Sequence, residues 1–224
     1  MHDADQLLQA VRDGLAAQAD AARAAPMRAY QRDQFDFLGI QTPARRALVK
    51  SAVHKRLDTP ELMRVAGALW DEPRREYQYA AIDLLDLHRR QLTIAAIPAL
   101  LALARRKPWW ETVDGLAGVI GRLLRAPAAQ DRHAPMDAAL TDPSFWIRRI
   151  AMTHQLGWRL ETDTGRLFGY ALALADEPEF FIRKAIGWAL RDYAKWAPGT
   201  VSGFLATHGA RFAPLTLREA RKHL

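Results

Sequence analysis

Pro73, Pro108, Pro143 and Pro178 recur at intervals of 35 residues in this 224-residue chain. A fixed period of that length constrains the fold more than any other feature. Each interval holds one supersecondary unit, which buries its apolar face only by stacking on its neighbours. Asp71-Glu72, Thr141-Asp142 and Asp176-Glu177 precede three of these prolines. An acid ahead of a first-turn proline signals a helix start, as cap and as dipole partner. Lys107 precedes Pro108 and is the exception. The pattern predicts Pro108 at the first helical position, where its missing N–H costs nothing. Between the prolines, apolar residues return every three or four positions, as in Leu92, Ala95, Ala96, Ala99, Leu100 and Leu103. Period-two runs of β-branched residues are absent, and an Ala-rich first helix is expected over about residues 4–24.

Two helices and two turns fit one interval, so the expected fold is all-α. It is a HEAT-like helical-repeat solenoid of stacked antiparallel helix pairs with a concave face. Pro43 and Pro214 are expected to start irregular end repeats. The breaks between helices are short, so residues 1–224 are read as one domain.

Composition narrows the function. Cysteine is absent, which excludes disulfides and thiolate metal sites and suggests an intracellular, cytoplasmic setting. The acidic start Met1-His2-Asp3-Ala4-Asp5 is unlike a secretory leader, and no apolar run approaches a membrane span. The formal charge is +7, the sequence pI is about 10.0, and 26 of the 32 basic residues are arginine. Arginine favours phosphate through its planar fork, although a GC-rich genome produces the same bias. The seven histidines are scattered without paired ligand spacing, so no metal and no other cofactor is expected. Gly115, Gly118 and Gly121 lack a nucleotide-loop pattern and are read as close-approach positions.

Stacked repeats present equal offsets to one surface, so positions can be compared by counting from each proline. Offset +2 holds Arg75, Trp110, Phe145 and Phe180; offset +6 holds Tyr79, Asp114, Arg149 and Lys184; offset +10 holds Asp83, Gly118, Thr153 and Trp188. The three offsets form one stripe along each helix. Its mixture of aromatics, cations and carboxylates predicts a wet surface shared by Trp110, Asp114, Arg149 and Trp188. Offsets +4 and +8, with Thr112, Ile147, Ile182, Leu116, Ala151 and Ile186, predict core. Trp70, Trp109, Trp146 and Trp158 are read as packing residues. Lys184 is read as a phosphate contact and Arg148 as lying at the edge of the surface. The basic segment Arg45, Arg46, Lys50, His54, Lys55 and Arg56 is read as a solvated face.

At these residues the chain resembles the AlkD-type DNA alkylation repair glycosylases, a HEAT-like family. The likeness runs through Tyr30 to Ile40 with Gln41-Thr42-Pro43, Trp109 to Asp114, Trp146 to Ala151, Phe180 to Ala194, and the closing Leu217 to His223. The resemblance implies that Asp114, Trp110 and Trp188 are catalytic, that Arg149 meets the DNA backbone, and that Tyr30 faces the lesion. Glu111 stands where the family commonly has aspartate. The implied partner is double-stranded DNA containing alkylated bases. The implied reaction is release of cationic N-alkylated purines, 7-methylguanine and 3-methyladenine, without flipping the base. A monomer is expected. Two other readings use the same helices: a catalytically silent binder of damaged or branched DNA, and a protein-interaction scaffold.

Overall fold

A computed structural model describes residues 3–125 and 132–224. The described residues are helical throughout, with one isolated bridge between Asp36 and Arg74 and no strand. Among the described residues no helix is long and apolar enough to cross a membrane. The chain divides by its contacts into two compact units, Met1–Ala99 and Leu100–Leu224.

The first unit holds α1 (Asp3–Ala17), α2 (Ala21–Tyr30), α3 (Thr42–Ala52), α4 (Thr59–Asp71) and α5 (Arg75–Leu87). The Ala-rich start is thus two helices rather than one. Asp20 breaks the run because its carboxylate caps the new helix, accepting from the N–H groups of Ala22 and Arg23. Helix α1 packs on α3, α4 and α5 through Leu7, Leu8, Val11 and Leu15. The stretch after α2 is tied down by the buried Glu76, whose carboxylate accepts from the N–H groups of Leu38, Gly39 and Ile40 at 2.8, 2.8 and 3.1 Å. Gly39 has φ +94°, and a Cβ there would meet the Asp20 carbonyl at 2.0 Å. Only glycine fits that position. In the basic segment, Arg46, Lys50, His54, Lys55 and Arg56 are exposed. Arg45 departs from the expected solvated face: it is buried and pairs with Asp83 at 2.7 Å.

The unit boundary falls within α6 (Ile97–Arg105). The second unit continues with α7 (Trp110–Arg125), α8 (Ala134–Ala139), α9 (Phe145–Thr153), α10 (Thr164–Ala173), α11 (Phe180–Ala194), α12 (Pro198–His208) and α13 (Pro214–Ala220). Helix α7 packs on α9, α9 on α11, and α11 on α13; α8, α10 and α12 pack against that row. This is the alternation that the 35-residue period predicts. Hydrogen bonds repeat the period directly: Arg149 to Asp114, Lys184 to Glu219, and the Gly157 N–H to Asp192 each span 35 residues.

Helices α5, α7, α9 and α11 each begin two residues after their proline. Pro108 therefore precedes its helix instead of opening it, because Trp109 supplies the first carbonyl acceptor, to the Val113 N–H. Asp142 shows what the acid before the proline does: its carboxylate accepts from the Ser144 N–H at the entrance to α9. Pro43 and Pro214 do sit in the first turns of α3 and α13. Offsets +4 and +8 form the core as expected, with Leu116, Ile147, Ala151 and Ile182 fully buried. Trp70, Trp146 and Trp158 are buried, and Trp109 packs edge-on against Phe181.

Of the three glycines read as close approaches, Gly121 is one: a Cβ there would lie 1.9 Å from the His154 carbonyl. At Gly118 the nearest atom is the tip of Arg122 at 3.4 Å, an ordinary contact. Gly121→Ala is expected to cost at least about 2 kcal/mol despite alanine's better helix propensity, since α7 and α9 must separate. Gly67→Ala in α4, which meets nothing within 4 Å, is expected to gain about 0.5–1 kcal/mol. Urea unfolding of the two variants measures the contrast.

His154 is buried beneath α8 and α10, among His133, Trp158 and Tyr170. Its Nδ1–H donates to the Ala151 carbonyl at 2.7 Å, since a carbonyl only accepts. Burial pushes its pKa down to about 4. Burial also lowers that of His133. Below pH 6.5 the unfolded chain binds a proton that the folded state refuses, so stability rises with pH through this window. Between pH 6.5 and pH 5, above the carboxylate range, His154 is expected to remove about 2 kcal/mol. His154→Phe should flatten that slope in urea titrations; an unchanged slope would assign the loss to other groups.

Candidate functional site

The second unit brings most of the expected site residues together. Asp114 and Arg149 occupy offset +6 of α7 and α9, which are neighbours. Arg149 Nε and Nη2 donate to the two carboxylate oxygens of Asp114, each at 2.8 Å. Nη1 donates to the Phe181 carbonyl at 2.6 Å. All three guanidinium nitrogens are engaged, in the fork geometry that gives arginine–carboxylate pairs their orientation and strength. The Arg149 side chain is 1% exposed and that of Asp114 is 23% exposed.

This corrects the expected wet stripe. Arg149, Thr153 and, in the first unit, Arg75 are buried. In the second unit the stripe faces the same stripe of the adjacent helix, so its polar groups pair across the repeats. Arg149 in this arrangement holds Asp114, and it does not lie on the surface as a backbone contact requires. Arg148 is the more exposed of the two arginines; it pairs with Glu177 at 2.7 Å and donates to the Asp142 and Pro143 carbonyls.

Phe181 belongs to an aromatic cluster. Trp146 and Phe181 have centroids 4.8 Å apart, Trp109 and Phe181 5.5 Å, and Phe145 and Trp146 4.6 Å. Phe181 joins this cluster to the ion pair, its ring centroid 6.0 Å from Arg149 Cζ, and the burial of the guanidinium makes either partner costly to lose. Trp110 opens α7, partly exposed, one turn before Asp114 on the same face.

Trp188 lies one turn beyond Lys184 on α11 and is partly exposed. Arg149 Cζ is 5.2 Å from its ring centroid, Lys184 Nζ 5.4 Å and Arg191 Cζ 5.9 Å, all within cation–π range. Lys184, expected as a phosphate contact, is paired with Glu219 of α13 at 2.9 Å. Asp114, Arg149 and Trp188 are therefore one contiguous group, with Trp110 beside it on α7. Tyr30 ends α2 in the first unit and is 72% exposed.

Sequence reasoning missed Glu219, Arg191 and Phe181. Glu219 had a usable signal, because it stands 35 residues after Lys184 and continues the column Asp114, Arg149, Lys184. Pro214 lies one residue off the register and obscured that continuation. Phe181 contributes a backbone carbonyl, which no residue type announces. Among the described residues no group of three His, Asp or Glu side chains is arranged to hold a metal ion. A cavity of about 560 Å³ lies in the first unit, lined by Ala21, Ala24, Arg28, Asp36, Phe37 and Arg74 among others, and none of the expected site residues lines it.

A family model described as DNA alkylation repair enzyme matches residues 11–224. Among solved structures, a predicted DNA alkylation repair enzyme from Enterococcus faecalis is 30% identical, with a TM-score of 0.83 over 92% of this chain and 97% of that one. No curated protein matches. With the match spanning both units, this chain belongs to the DNA alkylation repair enzyme family.

Proposed function

We propose that the chain is a monofunctional DNA glycosylase that hydrolyses the N-glycosidic bond of cationic N-alkylated purines, 7-methylguanine and 3-methyladenine, in duplex DNA. The observation that carries this reading is the Asp114 carboxylate, held by the Arg149 fork yet 23% exposed, with Trp110 one turn earlier on its helix and the Trp188 ring 5.2 Å from Arg149 Cζ.

Alkylation at N7 or N3 leaves the base cationic. The C1′–N bond then breaks with its electron pair going to the base, which departs neutral. Positive charge passes to the deoxyribose, and Asp114 stabilises it. Water adds at C1′ and gives up its proton through Asp114 to solvent, leaving free base and an abasic site. Trp110 and Trp188 contact the sugar and the cationic base edge, each contact worth about 0.5–2 kcal/mol. Both are partly exposed, which supports attack without extruding the base. Lys184 is held by Glu219, so an imine-forming lyase step is not part of the proposal. Arg148 and Tyr30 are proposed as DNA contacts, the net charge of +7 supplying the general attraction to phosphate.

The test is release of 7-methylguanine from methylated duplex DNA under single-turnover conditions. Wild type is expected to release base, and Asp114→Asn to slow release by about 100-fold or more. Asp114→Asn also leaves Arg149 opposite a neutral amide, so its unfolding is measured in parallel, with a loss of about 1–3 kcal/mol expected. Full activity in a folded Asp114→Asn protein would remove the assigned role. A wild type that binds duplex DNA, with affinity falling steeply as salt rises, but releases no base would be a silent binder instead.

A further inference from the structure

Helix α13 is only seven residues long, yet it closes one side of the Trp188 group. Its approach to α11 is set at Gly187, where a Cβ would lie 2.5 Å from Glu219 Cβ and 2.9 Å from the Thr216 carbonyl. The Thr216 hydroxyl donates to the Arg183 carbonyl at 3.0 Å, and both Thr216 and Glu219 are buried. Glu219 then accepts from Lys184 Nζ at 2.9 Å and Arg191 Nη1 at 3.0 Å. It also takes Lys222 Nζ, at 3.0 and 2.9 Å to its two oxygens. Lys184 and Arg191 are seven residues apart on α11, and the same two cationic ends lie against the Trp188 ring. Left alone, two cations on one helix face would diverge into water. One buried carboxylate between them holds both beside the indole. The pairing with Lys184 foremost, and then with Lys222, keeps the Glu219 carboxyl down at about 2, so it carries its charge throughout the working range.

We infer that Glu219 is a positioning residue for Trp188: through Lys184 and Arg191 it fixes the indole against which the nucleotide rests, making the C-terminal helix part of the glycosylase site. This rests on the reading of Trp188 as a lesion contact. Arg149 reaches the same ring from α9 and is itself held by Asp114. The ring is therefore set by two carboxylates from opposite ends of the column, Asp114 on α7 and Glu219 on α13.

The test uses the full chain with Glu219→Gln, which keeps the shape packed against Gly187 and removes the charge. The Trp188 indole N–H resonance is assigned by its absence in Trp188→Phe. In Glu219→Gln this resonance is expected to shift or broaden, while that of Trp70, buried in the first unit, stays in place. The maximal rate of 7-methylguanine release is expected to fall about tenfold with KM within about threefold. In a Trp188→Ala background the same substitution should change the rate by less than about twofold. Lys184→Met, which leaves the packing of α13 intact, should move the same resonance. An unmoved Trp188 resonance, or an equal rate loss in both backgrounds, would overturn the positioning role. A wild type that releases no base removes the lesion-contact reading, and the indole spectra still decide whether Glu219 positions Trp188.

Discussion

A guanidinium with 1% of its surface in water is tolerable only if its donors are matched, and the arrangement around Arg149 follows from that requirement. Asp114 takes Nε and Nη2, the Phe181 carbonyl takes Nη1, and the Phe181 and Trp188 rings flank the plane at 6.0 and 5.2 Å. The partners come from two helices, α7 for the carboxylate and α11 for the carbonyl and rings, with Arg149 on α9 between them. Moving any of the three helices strands a buried charge, at a cost of about 3–5 kcal/mol. The ion pair therefore specifies the spacing of α7, α9 and α11, while the aliphatic offsets supply the bulk of the burial.

The same pair limits what Asp114 can do. A carboxylate locked to a guanidinium presents its neighbourhood with a dipole, whose field falls off faster than that of an isolated charge. Under the proposed function, C1′ must come close to the open edge of Asp114 to gain from it. A cationic purine is already a good leaving group and needs only moderate help, which suits such a short-range arrangement. An uncharged base would need more than the pair offers.

Most of the fold was legible in the sequence, because it depends on period and polarity, and those are written in residue types. The 35-residue interval located α5, α7, α9 and α11, and the aliphatic offsets located their core faces. Two things were hidden. The prolines precede their helices by two positions because the carbonyls of Arg74, Trp109, Ser144 and Glu179 start the hydrogen bonding, a backbone detail. The polar stripe was read as wet because its residue types are polar. Polarity alone does not tell a group facing water from one facing a partner of opposite sign on the next repeat. Asp114 with Arg149 and Lys184 with Glu219 are of the second kind, and only the register carried through to Glu219 distinguishes them.

That pairing also resolves an electrostatic difficulty at Trp188. Arg149, Lys184 and Arg191 all lie within 6 Å of its ring, where a cationic lesion is also proposed to rest. A unit charge about 8 Å from another, at an effective dielectric constant of about 20, costs about 2 kcal/mol. Three such repulsions exceed the cation–π attraction of about 0.5–2 kcal/mol that the indole offers. A bare cationic cage would therefore expel the substrate it is proposed to hold. Asp114 offsets Arg149, and Glu219, shared with Lys222, offsets part of Lys184 and Arg191, so the ring keeps the stiffness that flanking cations give it while shedding part of their field. The carboxylates at the two ends of the column thus lower the repulsion that the proposed cationic base would meet at this ring.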